Sequence, residues 1–235
     1  PPKPRHTTNS NHRYHKWKNL IYGFEPMAAN QLWVADITYI MLNNGDVCYL
    51  HLITDAYSRM IVGWELADTL RASITIKALE QAISQTGGVS LEGLIHHSDR
   101  GVQYCCDDYV RTLQTHKIKI SMTEDYNPTD NAIAERANGV IKTETVYSRK
   151  TFNSLEHARN VIGRFIHFYN YRRPHMSIGY KIPAVVHTET GAQKKMWKKK
   201  NYTKKMYNNE NNGISLPCRT TGEDDGCNHH TVYSI

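Results

Sequence analysis

The sequence predicts an α/β domain built on a five-stranded mixed sheet with helices on both faces. Three observations predict it. Residues 31–66 hold three strand-like segments joined by short polar corners. Helix-period segments then alternate with short apolar runs, and a long amphipathic segment closes the pattern.

Leu32–Ile40 alternates, with Trp33, Ala35, Ile37 and Tyr39 on one face and Val34, Asp36, Thr38 and Ile40 on the other. The turn Asn43-Asn44-Gly45 leads into a second strand, Val47–Thr54. The corner Asp55-Ala56-Tyr57-Ser58 leads into a third, Met60–Leu66, giving an antiparallel meander. Arg71–Ser84 reads as a helix with Ile74, Ala78, Leu79, Ala82 and Ile83 on one side, stopped by Gly87-Gly88. Leu94–His97 is a short apolar strand running into Ser98-Asp99-Arg100-Gly101. Asp107–Thr115 is helical with Tyr109, Val110 and Leu113 inward, and Lys119–Met122 is the fifth strand. Pro128, Asp130 and Asn131 are loop and cap residues ahead of a helix from Ala132 to Glu144. The last helix, Ser154–Asn170, spaces Ala158, Val161, Ile162, Phe165 and Tyr169 helically, with Asn153 and Glu156 as its expected capping box.

The chain's 235 residues suffice for one substantial domain and a small appendage. A net charge of +7 and a pI near 9.1 point to an anionic partner such as nucleic acid. No apolar run is long enough for a membrane span, and no signal segment opens the chain. Five cysteines, including the adjacent Cys105 and Cys106, fit reduced thiols in a cytosolic protein better than a disulfide framework. Residues 1–30 are polar and basic and read as a linker; with no initiating Met, the chain is expected to be a fragment or processed product. Residues 188–235 are expected to be disordered, with seven lysines and no acid between Gln193 and Met206.

Three carboxylates carry the chemistry. Asp36 interrupts an apolar strand, where a buried, unpaired charge costs several kcal/mol. Asp99 ends a short strand, where ligands of open α/β sheets collect. Glu135 follows the fifth strand, on a helix. If the first and fourth strands are neighbours, the three acids converge. Oxygen ligands without competing Cys or His suit Mg²⁺ or Mn²⁺, and two such ions serve an in-line phosphodiester displacement. Taken singly, each acid reads first as structural, Asp36 as the partner of a buried Arg or Lys and Asp99 and Glu135 as surface acids; their joint spacing is more specific. Glu135, Asn138 and Lys142 share a helix face, with Lys142 roughly 10 Å along the axis from Glu135.

Thirty-five residues (100–134) separate Asp99 from Glu135. With His97-Ser98-Asp99-Arg100-Gly101-Val102-Gln103-Tyr104 and Asp130-Asn131-Ala132-Ile133-Ala134-Glu135-Arg136, that spacing resembles the DDE transposases of the retroviral-integrase superfamily, most closely the OrfB type of bacterial insertion sequences. Trp33–Ile40, Asp55–Arg59, Ile61–Trp64 and Tyr169–His175 resemble further blocks of that family, and the resemblance covers about residues 25–187. It implies an RNase H-like catalytic core over 31–187. It implies Asp36, Asp99 and Glu135 as catalytic ligands of Mg²⁺ or Mn²⁺, two ions in all, and Lys142 as a contact to transposon-end DNA. Water is then the nucleophile for end cleavage and a DNA 3′-hydroxyl the nucleophile for strand transfer. The expected partners are transposon-end and target DNA and further copies of the chain, in the bacterial cytoplasm and on the nucleoid. The family's upstream helix-turn-helix region has no counterpart in residues 1–30.

Arg136, Asn138, Arg172, Arg173 and His175 are further candidate DNA contacts, although the last three also suit capping of helix carbonyls. His96 reads as a packed histidine and His97 as support for Asp99. Cys218, Cys227, His229 and His230 match no standard zinc spacing. An idle DNA-binding or assembly module, and a ribonuclease H-type hydrolase, are the competing readings.

Overall fold

The computed structural model describes residues 10–124, 132–146 and 152–193. Its centre is a five-stranded sheet ordered β3-β2-β1-β4-β5. β1 (Leu32–Met41), β2 (Val47–Asp55) and β3 (Ile61–Ala67) form the antiparallel meander, and β4 (Ile95–Ser98) and β5 (Lys119–Met122) add in parallel on the other side of β1. The first and fourth strands are therefore neighbours, as convergence of the acids requires.

The alternation of β1 is realised on its two faces. Trp33, Ala35 and Ile37 pack with Ala78, Leu79 and Ala82 of α1 (Ala72–Gln85). Two short helices, α2 (Val102–Cys105) and α3 (Asp107–Thr115), complete that layer through Tyr104, Tyr109 and Leu113. On the opposite face, Leu32 and Val34 meet Ala134 of α4 (Ala132–Ile141), while Ile40 joins Val161, Ile162 and Ile166 of α5 (Leu155–Tyr171). Two apolar layers on one sheet give the expected architecture.

β3 crosses α1 so closely that a Cβ on Gly63 would lie 2.1 Å from the Ala78 carbonyl oxygen. Only glycine permits that approach. Asn170, near the end of α5, is buried and brackets Ile61: its Oδ1 accepts from the Ile61 N–H at 2.9 Å and its Nδ2 donates to the Ile61 carbonyl at 2.8 Å.

Several boundaries differ from those expected. α4 ends at Ile141 and continues as a π turn, Lys142–Val146, rather than as a regular helix to Glu144. Ser154, not an Asn153–Glu156 box, caps α5 by accepting the His157 N–H. α2 and α6 (Pro183–Val186) went unpredicted, because four residues carry too little periodicity. Within the expected linker, Trp17 and Ile21 pack on the core, and the Met122 N–H donates to the Lys18 carbonyl. Ala28 bridges Thr190, and Gln193 donates to the Tyr57 hydroxyl. The cap residues Pro128, Asp130 and Asn131, the lysines of 194–205 and the Cys218–His230 group lie outside the described residues.

Candidate active site

Register brings the first two acids together. Val34 of β1 pairs with His97 of β4, and Asp36 and Asp99 each stand two residues further along. Side chains two apart on a strand share a face. Asp36 therefore turns away from α1 and toward α4. There Asn138 donates from Nδ2 to Asp36 Oδ2 at 2.7 Å, while the Ile37 N–H donates to Oδ1 at 2.9 Å. Asp99 Oδ1 accepts the Gly101 N–H at 2.9 Å, in the tight loop that starts α2.

The electrostatics record how crowded these charges are. The Asp36 carboxyl is pushed up to about 7, by burial first, then by the charge of Asp99 and, least, of Glu135. The bonds from Asn138 and Ile37 oppose that rise. Burial and like charge both disfavour a carboxylate, and a bound cation reverses both.

Glu135 is exposed on the first turn of α4, and Asn138 is buried one turn on. Among the described residues no group of three or more His, Cys, Asp or Glu side chains stands close enough to hold an ion in the present geometry. Glu135 is nonetheless within the electrostatic reach of Asp36. The donor set nevertheless suits a hard divalent ion: three carboxylates, with Asn138 Oδ1 buried and lacking a hydrogen-bond partner.

Lys142 begins the π turn, and its Nζ sits 4.3 Å from the centroid of the Tyr39 ring. Burial lowers its pKa and the charge of Asp36 raises it, so the lysine lies on the acid side of α4. Asn138, expected among the DNA contacts, donates here to Asp36. Arg136 and Arg172 are exposed. Arg173 is engaged by Glu144, donating from Nε at 3.1 Å to both carboxylate oxygens, and by His175 Nε2 at 3.3 Å. His175 packs edge-on against Tyr169 and is held down to about 4 by burial and by Arg173, Arg59 and Arg136.

The flanking histidines are structural. His96 Nε2 lies 2.9 Å from the Tyr109 hydroxyl, and His97 Nδ1 lies 2.9 Å from Ser121 Oγ. The Asp55–Arg59 block is a folded corner: fully buried Asp55 accepts from the N–H groups of Asn30, Tyr57 and Ser58 and from Ser58 Oγ. Residue patterns alone did not single out Tyr104, a buried aromatic bordering the Asp99 loop, because nothing in the motif marks its side chain apart from its neighbours.

Two family models described as integrase core domain match residues 26–128 and 116–183. A putative transposase for insertion sequence IS986/IS6110 of Mycobacterium tuberculosis is 37% identical over 174 residues, 73% of this chain and 62% of that protein. An uncharacterized 31 kDa protein of insertion element IS600 from Shigella sonnei is 40% identical, over 77% of this chain and 66% of that one. The chain thus spans less than two thirds of the length of these relatives. Among solved structures, a chain of the simian T-cell lymphotropic virus intasome superposes with a TM-score of 0.60 at 20% identity, over 78% of this chain and 62% of that chain. The HTLV-2 integrase catalytic core, solved with magnesium, gives 0.55 at 20% identity, over 69% of this chain and 99% of its own. The fold is RNase H-like, and the chain belongs to the integrase core domain family, to which it is joined by relatives from bacterial insertion sequences.

Proposed function

We propose that this chain is the catalytic core of a transposase that cuts DNA at transposon ends and joins those ends to target DNA. The observation carrying the proposal is that β1 and β4 are paired neighbours and that buried Asp36 feels the charge of both Asp99 and Glu135. In this reading Asp36, Asp99 and Glu135 hold two Mg²⁺ or Mn²⁺ ions; the magnesium in the HTLV-2 core supports the choice of metal. Bound there, the ions supply Lewis-acid activation of an attacking oxygen and neutralise charge on the leaving one.

The protein's own groups do the positioning. Asn138 and the Ile37 N–H fix both oxygens of Asp36, and the Gly101 N–H fixes one of Asp99. Lys142, braced on Tyr39, offers a cation to a backbone phosphate or a base beside the cut. Exposed Arg136 and Arg172 extend that surface for the DNA. Arg173 and His175, held by Glu144 and Tyr169, shape the neighbouring turn. In end cleavage the water oxygen bonds to phosphorus, the P–O3′ bond breaks and a 3′-hydroxyl is released. In joining, that hydroxyl attacks a target phosphodiester and displaces the target's own O3′. Further copies of the chain are expected in the DNA complex, and 31–187 is the span proposed for the core.

Incubating the chain with Mg²⁺ and labelled duplexes bearing the element's ends tests this. Nicks leaving 3′-hydroxyls, followed by joined products, are expected. Metal-dependent cutting of RNA–DNA hybrids, with no action on end DNA, would overturn it in favour of a ribonuclease H-type hydrolase.

A further inference from the structure

Tyr104 carries an unexplained cost. It lies in α2, 2% exposed, and its hydroxyl has no hydrogen-bond partner. A buried, unsatisfied hydroxyl costs about 1–3 kcal/mol, whereas phenylalanine would fill the same space without that cost. The ring is held from two sides: Tyr109 meets it edge-on at 5.6 Å between centroids and His96 lies at 6.3 Å. Tyr109 and His96 are themselves joined at 2.9 Å, so the clamp is rigid.

The ring sits against the loop of the second acid. A Cβ built on Gly101 would lie 2.9 Å from Asp99 Oδ1 and 3.6 Å from Tyr104 Cδ2, so the carboxylate and the ring edge border the same space over that glycine. The phenol feels the charges of Asp99 and Asp36, which, with burial, keep it protonated and hence a donor. A clamped, unpartnered O–H whose ring borders the Asp99 loop is a group arranged for a different state of the site.

We propose that Tyr104 is a positioning residue of the metal site, donating its O–H to the Asp99 carboxylate when an ion is bound and holding that carboxylate in its ligating orientation. Hydrogen bonds to a ligating carboxylate fix its orientation, and losing one typically costs about 10–100-fold in metal affinity. The inference rests on the metal reading of the three acids.

The test is a Mn²⁺ titration of the full chain followed by thermal melting, comparing wild type, Tyr104→Phe and Tyr109→Phe. Without metal, Tyr104→Phe is expected to melt at or above the wild-type temperature, because it removes an unsatisfied group. Its midpoint for Mn²⁺-induced stabilisation is expected to rise about 10-fold or more. Tyr109→Phe, which breaks the His96 contact, is expected to melt lower while keeping the wild-type midpoint. Superimposable midpoints for wild type and Tyr104→Phe would overturn the inference alone. An equal shift in Tyr109→Phe would also overturn it, by showing that any loosening of the layer suffices. A wild-type chain indifferent to Mn²⁺ would overturn the metal reading and this inference with it.

Discussion

Asp36 is a destabilising residue in the metal-free protein, since burial and its acidic neighbours both oppose its charge. Asp36→Asn keeps the shape, removes the repulsion and leaves an amide for Asn138 and Ile37 to face. In chelator it should melt at or above the wild-type temperature, while Mg²⁺ stabilises it less; calorimetry with and without metal reads both. Lys142→Ala should slow cutting and joining while the metal midpoint stays near wild type. If Lys142 reads a base, the binding loss on cognate ends should exceed that on random duplex by about 1–3 kcal/mol. Asp36 was legible from sequence because a carboxylate breaks a period-2 apolar strand. Its anchor was not: Asn138 lies 102 residues away, and helix spacing places it on the Glu135 face without naming the strand it meets.

At the scale of elements, the β3–α1 crossing depends on Gly63. Gly63→Ala drives a methyl into the Ala78 carbonyl, and overpacking of this kind costs about 1–3 kcal/mol. Urea denaturation should show a lower midpoint with an unchanged slope. Strands were read from the sequence to within a residue, because alternation and corners are local signals. The helices α1, α3 and α5 were read as closely, and the end of α4 was not. Nothing in Lys142–Val146 announces a π turn; the change of pitch accompanies packing of Lys142 over Tyr39 and the tie between Glu144 and Arg173. Asn170 likewise looked like one more helical residue, yet it fastens α5 to the start of β3.

Across the whole molecule, buried neutral histidines make stability pH-dependent. His51 and His96 are held down to about 4 and about 3, chiefly by burial, against about 6.5 in an unfolded chain. Below that value the unfolded state binds more protons at each site, so the stability each histidine contributes is complete above pH 6.5 and falls as pH drops toward its folded value, against the opposite trend of Asp36. Each contributes at most about 1.4 kcal/mol per pH unit. His51→Gln should flatten the dependence of the melting temperature on pH between 6.5 and 4. Fold class was readable from the order of the elements, and the three acids stood out by their motifs and spacing. The packing of Trp17 and Ile21 on the core was not, because residues 10–30 have a linker's composition and gain order only from the sheet they cover.

The central claim is that Asp36, Asp99 and Glu135 act together at one metal-dependent centre. Single-turnover nicking and joining of labelled end DNA in Mg²⁺ tests it most directly, with Asp36→Asn, Asp99→Asn and Glu135→Gln compared against wild type at equal DNA occupancy. Each variant should lose at least ~10³-fold in both reactions, the equivalent of about 4 kcal/mol of transition-state stabilisation, while staying folded and DNA-bound. Near-wild-type rates in any one of them would contradict the claim and remove that residue from the centre.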